Sequence, residues 1–272
     1  MNTKTSAARR LVESAIMLAI ATVLSFLKLV DLPYGGSITV ASMLPIVIIS
    51  YRHGVKWGLL TGLVFGIIQQ LLGLNTLSYV TTWQSIVAVI LLDYIIAFAA
   101  AGLGGAFRKT TSQPLAVLLG GLLVGIVRYI CHVISGATVW AGLSIPTEAA
   151  LIYSFGYNAT YMIPETIVLM VVGYYIASVL DFRKENVTRY TARVESALPF
   201  LRWIAGLIIS AALVADTVLV FSRLQNADSG EFDITGLSAV NWTAVIIISA
   251  VALVLSVVLF LIAAKTPKKE KA

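Results

Sequence analysis

Residues 83–107 read WQSIVAVILLDYIIAFAAAGLGGAF, and Asp93 is the one charged side chain among them. A helix needs roughly 20 consecutive apolar residues to cross a bilayer core, so this stretch is long enough. In hydrocarbon, each backbone polar group must be satisfied within its own segment unless a barrel closes. The stretch does not alternate with a period of two, which disfavours a barrel strand. It therefore predicts a transmembrane helix.

Apolar runs of this kind recur along the whole chain. They predict helices at 11–30, 38–51, 55–73, 83–107, 114–137, 149–180, 200–222 and 241–264. The second is short for a span and carries Pro45, so we expect it to be tilted or broken. With 59% hydrophobic and 12% charged residues, the chain has too little polar surface for a water-soluble globule. The predicted fold class is all-α, a polytopic membrane bundle of about eight spans.

Lysine and arginine cluster in alternate loops, which hold 16 of the 19 basic residues. These are Lys4, Arg9 and Arg10; Arg52 and Lys56; Arg108 and Lys109; Arg183, Lys184, Arg189, Arg193 and Arg202; and Lys265, Lys268, Lys269 and Lys271. By the positive-inside rule these loops are cytoplasmic, as are both termini. The loops around 31–37, 74–82, 138–148 and 223–240 are then external. We expect a multi-pass protein of the bacterial inner (plasma) membrane.

A basic stretch at 182–199 is the one plausible internal boundary. It separates six helices rich in glycine, aromatic and buried polar residues from two that are almost purely aliphatic. We predict a six-helix core at 1–181, a cytoplasmic linker at 182–199 and a two-helix transmembrane extension at 200–272. Function should then reside before residue 181.

Four Asp, Glu, Arg or His residues lie well inside the predicted core helices, away from their ends. Placing an ionisable side chain at the centre of a span costs up to ~2.5–3.5 kcal/mol on insertion scales. Each of the four therefore needs a partner or a purpose: Asp93, Arg128, His132 and Glu165. Arg128 and His132 are four residues apart and share one helix face. One explanation is structural pairing of Arg128 with Asp93 or Glu165. The other is a ligand site.

Aromatic and polar side chains collect in the half of the core that we expect to face outward. They are Trp83, Asp93, Tyr94, His132, Gly136, Trp140, Tyr153, Tyr157 and Asn158. Aromatic residues at a membrane edge commonly form an interfacial belt, and that alternative stays open. The same set also fits a box whose aromatic faces stack on a flat ring and attract a cation, while its polar tips fix orientation.

Signatures of catalysis are missing from the sequence. There is no His-Glu-x-x-His, Gly-x-Ser-x-Gly or phosphate-loop motif, and two histidines with one cysteine form no usual metal cluster. We therefore expect no enzyme activity, no cofactor and no metal. The net charge of +6 resides in topology-setting clusters, so nucleic acid is not an expected partner.

Six short segments, in order and with matching spacing, resemble one known family. They are GGS at 35–37, MLPI at 43–46, YRHGVKWG at 51–58, LDY at 92–94, HVISG at 132–136 and YSFGYN at 153–158. They are similar to the thiamine-specific S components (ThiT family) of energy-coupling factor (ECF) transporters. The resemblance covers about residues 8–180, roughly two-thirds of the chain.

The resemblance implies a function and partners. S components of this family are six-helix membrane proteins that capture a vitamin from outside. They associate with a transmembrane coupling subunit and two cytoplasmic ATPase subunits, which supply the ATP hydrolysis. The implied ligand is thiamine. One alternative is the same fold with another vitamin or precursor as its ligand. Another is a membrane enzyme or receptor that uses Asp93 and His132 as acid and base.

The resemblance also implies site residues. The substrate-binding set carried over is Trp83, Asp93, Tyr94, Arg128, His132, Gly136, Trp140, Tyr153 and Asn158. Ala15 and Ala19 form a small-xxx-small pair of the kind that contacts the coupling subunit, although ordinary helix packing explains such a pair equally well. Two features depart from the family: Asp93 stands where its members carry Glu, and the 200–272 extension is additional.

Overall fold

The computed structural model describes residues 6–32, 35–142, 147–189, 198, 200–224 and 234–265. Eight helices lie within these residues, in agreement with the predicted number. They are α1 (Ala7–Phe26), α2 (Leu44–His53), α3 (Val55–Leu72), α4 (Trp83–Gly105), α5 (Gln113–Gly142), α6 (Thr147–Val179), α7 (Phe200–Leu224) and α8 (Trp242–Lys265). Two antiparallel pairs of strands join them: β1 (Lys28–Asp31) with β2 (Ser37–Thr39), and β3 (Leu180–Asp181) with β4 (Thr188–Arg189).

Six of the eight helices, α3 to α8, are long and apolar enough to cross a membrane. The chain is thus a multi-span helical membrane protein, and the predicted fold class is confirmed. The expectation of about eight spans needs correction at α2, which has ten residues and reaches only about 15 Å. Helix α1 has 20 residues, but Arg9, Arg10 and Glu13 occupy its first turns.

A β-hairpin replaces the ends of the first two predicted helices. Helix α1 stops at Phe26 instead of residue 30, and α2 begins at Leu44 instead of residue 38. In the segments between them, Lys-Leu-Val-Asp and Ser-Ile-Thr, only Val30, Ile38 and Thr39 are of types that favour strands, so propensity gives a weak signal here. Pro45 lies in the first turn of α2, where its missing N–H costs nothing, so it starts the helix and does not break it.

Helix α2 is the most enclosed element of the core. Every residue from Leu44 to Tyr51 is buried. Gly54 then reverses the chain into α3 with φ of 97°, a left-handed conformation that glycine adopts without strain. The strand, the loop and α2 together run from Ser37 to His53. Ser42 is buried, which suits non-helical backbone at membrane depth because such backbone must be enclosed by protein.

Helices α3 and α4 pack backbone against backbone through three glycines spaced four residues apart. A Cβ on Gly62 would lie 2.6 Å from the carbonyl oxygen of Phe98, and one on Gly66 would lie 2.6 Å from that of Tyr94. Gly58 meets the carbonyl of Gly102 in the same way, at 2.9 Å. Small residues at this spacing let membrane helices approach closely. The contact fixes the register of α4, the helix that carries Asp93.

A charged network ties the start of α1 to the end of α2 and to the segment after α6. Glu13 accepts hydrogen bonds from Arg9 and Arg52, and its Oε2 lies 2.8 Å from Nε2 of His53. Arg9 also donates to Glu185, beyond the end of α6. Helix α1 is therefore held firmly while Ala15 and Ala19, farther along it, remain exposed.

Helices α7 and α8 form a hairpin that packs on the core through α7. Ser249 on α8 donates to Asp216 on α7 at 2.6 Å, and Ser256 donates to the carbonyl of Ala205 at 2.8 Å. At its other end α7 reaches the β1–β2 hairpin, because Phe221 and Leu224 share a buried cluster with Leu32, Ile38 and Tyr157. The division into core, linker and extension stays a prediction, and residues 190–197 and 199 of the predicted linker lie outside the described residues.

Candidate functional site

A cavity of about 460 Å³ lies between the β1–β2 hairpin and helices α3 to α6. Its wall combines ionisable, amide, hydroxyl and aromatic side chains. Among the lining residues are Gln69, Thr76, Asp93, Tyr94, Phe98, Arg128, His132, Gly136, Tyr157, Asn158, Tyr161 and Glu165. This volume lies within the range of pockets that hold small organic ligands.

A π-helical segment of α4 presents Asp93 and Tyr94 to the cavity. Residues Val89–Ile96 form this wider turn, which is rare and occurs frequently at functional sites. The Tyr94 hydroxyl donates to Thr76 Oγ1 at 3.2 Å, and the Tyr94 ring stacks on Phe98 with 6.1 Å between centroids. The irregular turn thus places a carboxylate and an aromatic face side by side.

Asp93 is paired with His132. Its Oδ1 lies 2.8 Å from Nδ1 of His132, and its Oδ2 accepts a hydrogen bond from Ser135 at 2.9 Å. Because an ionised carboxylate only accepts, the proton of this contact lies on Nδ1. Nε2 of a neutral ring is then an acceptor, and it is buried without a hydrogen-bond partner among the described residues. The pair offers a ligand both a negative charge and a free acceptor.

Asn158 is held by the protein on both sides of its amide. The Nδ2 group donates to the carbonyls of His132 and Ser154, and Oδ1 accepts from the hydroxyl of Tyr161 at 2.5 Å. One lone pair of Oδ1 remains, since a carbonyl oxygen has two. Gly136 permits this arrangement, because a Cβ there would overlap Ser154 and lie 3.1 Å from Nδ2 of Asn158. Asn158 therefore locks α5 to α6 at the cavity wall.

Arg128 and Glu165 are two buried ionisable side chains that do not pair with each other among the described residues. Glu165 accepts from the backbone N–H of Thr39 at 2.6 Å and from its hydroxyl at 2.7 Å. The guanidinium of Arg128 lies over the Phe98 ring at 5.1 Å, and its Nε has no hydrogen-bond partner in the described part of the chain. Of the structural pairings considered for Arg128, neither forms within 4.0 Å among the described residues: Asp93 engages His132, and Glu165 engages the hairpin.

The structure brings together six of the nine substrate-binding residues that the resemblance implied. Asp93, Tyr94, Arg128, His132, Gly136 and Asn158 all line the cavity. Trp83 begins α4 and is 70% exposed, and Tyr153 is half-buried behind the hairpin, so neither lines it. The backbone of Trp140 belongs to α5, but its side chain lies outside what the structure describes.

Several lining residues were not among the sequence candidates. Tyr161 is buried, and its ring lies 5.6 Å from Tyr157 and 6.2 Å from His132, edge-on or tilted. Tyr157, which was among the sequence candidates, accepts a hydrogen bond from the backbone N–H of Gly36, which fixes the hairpin over the cavity. Spacing from Asn158 could have indicated Tyr161, because residues three apart share a helix face. Thr39 gave no signal, since it lay inside a predicted helix.

This geometry suits a flat, positively charged, hydrogen-bonding ligand. Asp93 supplies negative charge, and the rings of Tyr94, Tyr157 and Tyr161 supply faces or edges. No group of three or more His, Cys, Asp or Glu residues is arranged to hold a metal ion among the residues that the structure describes.

Comparisons with known proteins match the same part of the chain. Residues 11–183 match the model of a family described as thiamine transporter protein. The chain is 37% identical over 175 residues to the thiamine transporter ThiT of Bacillus subtilis (strain 168), covering 60% of this chain and 87% of that protein. A solved structure of ThiT from Listeria monocytogenes is similar with a TM-score of 0.51 and 23% identity, covering 62% of this chain and 92% of that chain. At this identity the structural likeness supports the fold alone.

Proposed function

The chain belongs to the thiamine transporter protein family, and from that premise we propose that the cavity around Asp93 binds thiamine. The observation that carries the proposal is the Asp93–His132 pair, which opens a carboxylate and a free imidazole acceptor onto an aromatic-lined cavity. Thiamine joins a permanently cationic thiazolium to an aminopyrimidine with donors and acceptors. Its two rings need the kinds of group that the cavity offers.

Charge gives the ligand a preferred orientation in the cavity. Arg128 lies one turn before His132 on α5 and is buried, and its positive charge repels a cation. The thiazolium should therefore avoid Arg128 and lie nearer the hairpin. The aminopyrimidine would take the position beside Asp93 and His132, where its exocyclic amine can donate to Nε2. The Asp93 carboxylate contributes its charge there, and its oxygens keep lone pairs that can accept a further hydrogen bond from the aminopyrimidine.

We propose further that the protein is the S component of an ECF-type transporter. In that arrangement it captures thiamine from outside and delivers it inward with a transmembrane coupling subunit and two cytoplasmic ATPase subunits. Ala15 and Ala19 are exposed on α1, in line with exposed Leu11 one turn earlier, and this apolar face suits contact with the coupling subunit. Energy comes from those subunits, and the chain itself performs no catalysis in this proposal.

The proposed membrane orientation follows the distribution of charge. The network of Arg9, Glu13, Arg52 and Glu185 lies at the end of the bundle that the positive-inside rule assigns to the cytoplasm. The hairpin and the cavity mouth then face outward, and both termini lie in the cytoplasm. The location is the bacterial plasma membrane.

Calorimetric titration of the purified protein in detergent tests the proposed ligand. Thiamine should bind one to one with submicromolar affinity and without nucleotide, because all the groups assigned to it belong to this chain. Riboflavin, biotin and pyridoxine should give no heat at the same concentrations. Heat from another vitamin with none from thiamine would remove the ligand assignment and leave the family assignment intact.

A further inference from the structure

A second cavity, of about 510 Å³, lies where the extension packs against the core. Leu118 of α5, the second half of α6, the first half of α7 and the end of α8 line it. Its walls are almost wholly aliphatic and aromatic, with residues such as Ile167, Met170, Val171, Ile209 and Val257. It shares no lining residue with the cavity around Asp93. Nothing in thiamine capture accounts for it.

The depth of this second cavity corresponds to one leaflet of a membrane. On α6 its lining runs from Ile167 to Ser178, eleven residues apart, which at ~1.5 Å per residue is about 16 Å. The hydrocarbon core of a bilayer is ~30 Å thick, so one leaflet contributes about half of that. Ser178 is one residue from the end of α6, on the side that carries the basic residues. The cavity thus extends from the proposed cytoplasmic surface to about the bilayer centre.

A positively charged side chain, that of Arg202, lies at the surface end of the cavity. Arg202, in the first turn of α7, lies over the Phe260 ring at 5.6 Å, and its Nε is buried without a hydrogen-bond partner among the described residues. Two of the hydroxyls in the wall are already used: Ser178 donates to the carbonyl of Tyr175, and Ser256 to that of Ala205.

We propose that this cavity is a binding site for an anionic phospholipid of the cytoplasmic leaflet. One acyl chain fills the apolar part between α6, α7 and α8, and the headgroup phosphate pairs with Arg202. Basic pockets between transmembrane helices on the cytoplasmic side favour anionic headgroups. A lipid also satisfies both ends of the cavity at once, because it is apolar for one leaflet and negatively charged at the surface. The extension would then serve to hold a specific lipid against the core.

Lipid retention measured by native mass spectrometry tests this site. The full-length protein is exchanged in detergent into equal amounts of phosphatidylglycerol and phosphatidylcholine with identical chains. Wild type should retain phosphatidylglycerol about fivefold more than phosphatidylcholine, the ratio expected for one basic side chain near the headgroup. Arg202→Gln should abolish that preference. The matched control is Arg223→Gln, an exposed arginine near the other end of α7, which should keep it.

A second pair of variants tests the acyl-chain part and does not depend on Arg202. Ser210→Trp fills the cavity and should reduce retention of both lipids severalfold, whereas Leu219→Trp, exposed on the same helix outside the cavity, should not. Size-exclusion and helical circular dichroism establish that each variant is folded. An unchanged preference in Arg202→Gln, an equal loss in Arg223→Gln, or full retention in Ser210→Trp would overturn the proposal. So would a lipid-free dimer that Ser210→Trp converts to monomer, since a second copy would then fill the cavity.

Discussion

Replacing Asp93 by Asn separates a ligand-holding role from a structural one. The change keeps the shape of the side chain and removes its charge. The amide oxygen can still accept from Nδ1 of His132, and the amide nitrogen can donate to the Ser135 hydroxyl, which then acts as acceptor. The local geometry should therefore survive, and what is lost is the negative charge that strengthens the hydrogen bond from the aminopyrimidine to this side chain.

The expected loss of affinity follows from the kind of contact removed. A hydrogen bond to a charged group contributes ~1.5–3 kcal/mol, so thiamine affinity should fall by about 10- to 150-fold. The stability of the ligand-free protein should change little or increase, because a charge at membrane depth is costly. Thiamine affinity by calorimetry and the apo melting temperature in the same detergent are the two readouts.

Asp216→Asn is the matched control for this experiment. Asp216 is likewise an aspartate inside a helix, buried where Asp93 is half-buried, and it also accepts a hydrogen bond from a serine hydroxyl, that of Ser249 at 2.6 Å. It lies on α7 and does not line the cavity around Asp93. Its substitution should leave thiamine affinity within twofold of wild type. If Asp93→Asn instead melts several degrees lower and keeps wild-type affinity, Asp93 is structural and the site assignment is refuted.

Three further substitutions test the parts of the molecule around the site. Ala15→Trp should block the approach of the coupling subunit and abolish transport by the complete complex, while thiamine binding persists. Its control is Ile20→Trp, exposed about 140° around α1 from Ala15, which should transport normally. Loss of thiamine binding in Ala15→Trp would indicate that Ala15 serves packing within the chain instead. Leu224→Ala should lower thiamine affinity about tenfold, because Leu224 supports the hairpin that covers the cavity. The control is Leu219→Ala, at an exposed position of the same helix. Equal thiamine affinities in the two variants would show that the extension is independent of the site. Thr39→Val removes the hydroxyl bond to Glu165 and should speed thiamine dissociation about fivefold in stopped-flow measurements, whereas an unchanged rate would show that this bond does not hold the hairpin.

Long apolar runs were sufficient to predict most of the bundle. Helices α3, α7 and α8 begin and end within about two residues of their predicted bounds, because membrane spans are set by length and hydropathy. The β1–β2 hairpin was not predicted. Its strands are only four and three residues long and directly adjoin apolar helices, and hydropathy alone does not distinguish so short a strand from the end of a helix.

The polar groups of the cavity were predicted better than their partners. Asp93, Arg128 and His132 were evident because ionisable residues are rare inside spans. That Asp93 engages His132 and not Arg128 depends on the π-helical turn at Val89–Ile96, which no spacing rule on a regular α-helix gives. The glycines at 58, 62 and 66 were available in the sequence as a signal of close helix packing. They fix the register of α4 against α3, on which the contact between Asp93 and His132 depends.

The role expected for the extension changes most once tertiary packing is considered. Sequence composition separated residues 200–272 from the core, which predicts that binding is independent of them. In the folded chain Phe221 and Leu224 lie in one buried cluster with Leu32 and Ile38 of the hairpin. Such a contact joins residues nearly 200 positions apart, and neither helix periodicity nor hydropathy carries information about it.

A structure of the protein with thiamine bound tests the central claim most directly. The account predicts thiamine in the cavity beneath the β1–β2 hairpin, with the aminopyrimidine within hydrogen-bond distance of Asp93 and of Nε2 of His132. It also predicts the thiazolium on the side away from Arg128. Thiamine bound elsewhere, or bound in this cavity with the thiazolium against Arg128 and no contact to Asp93, would contradict it.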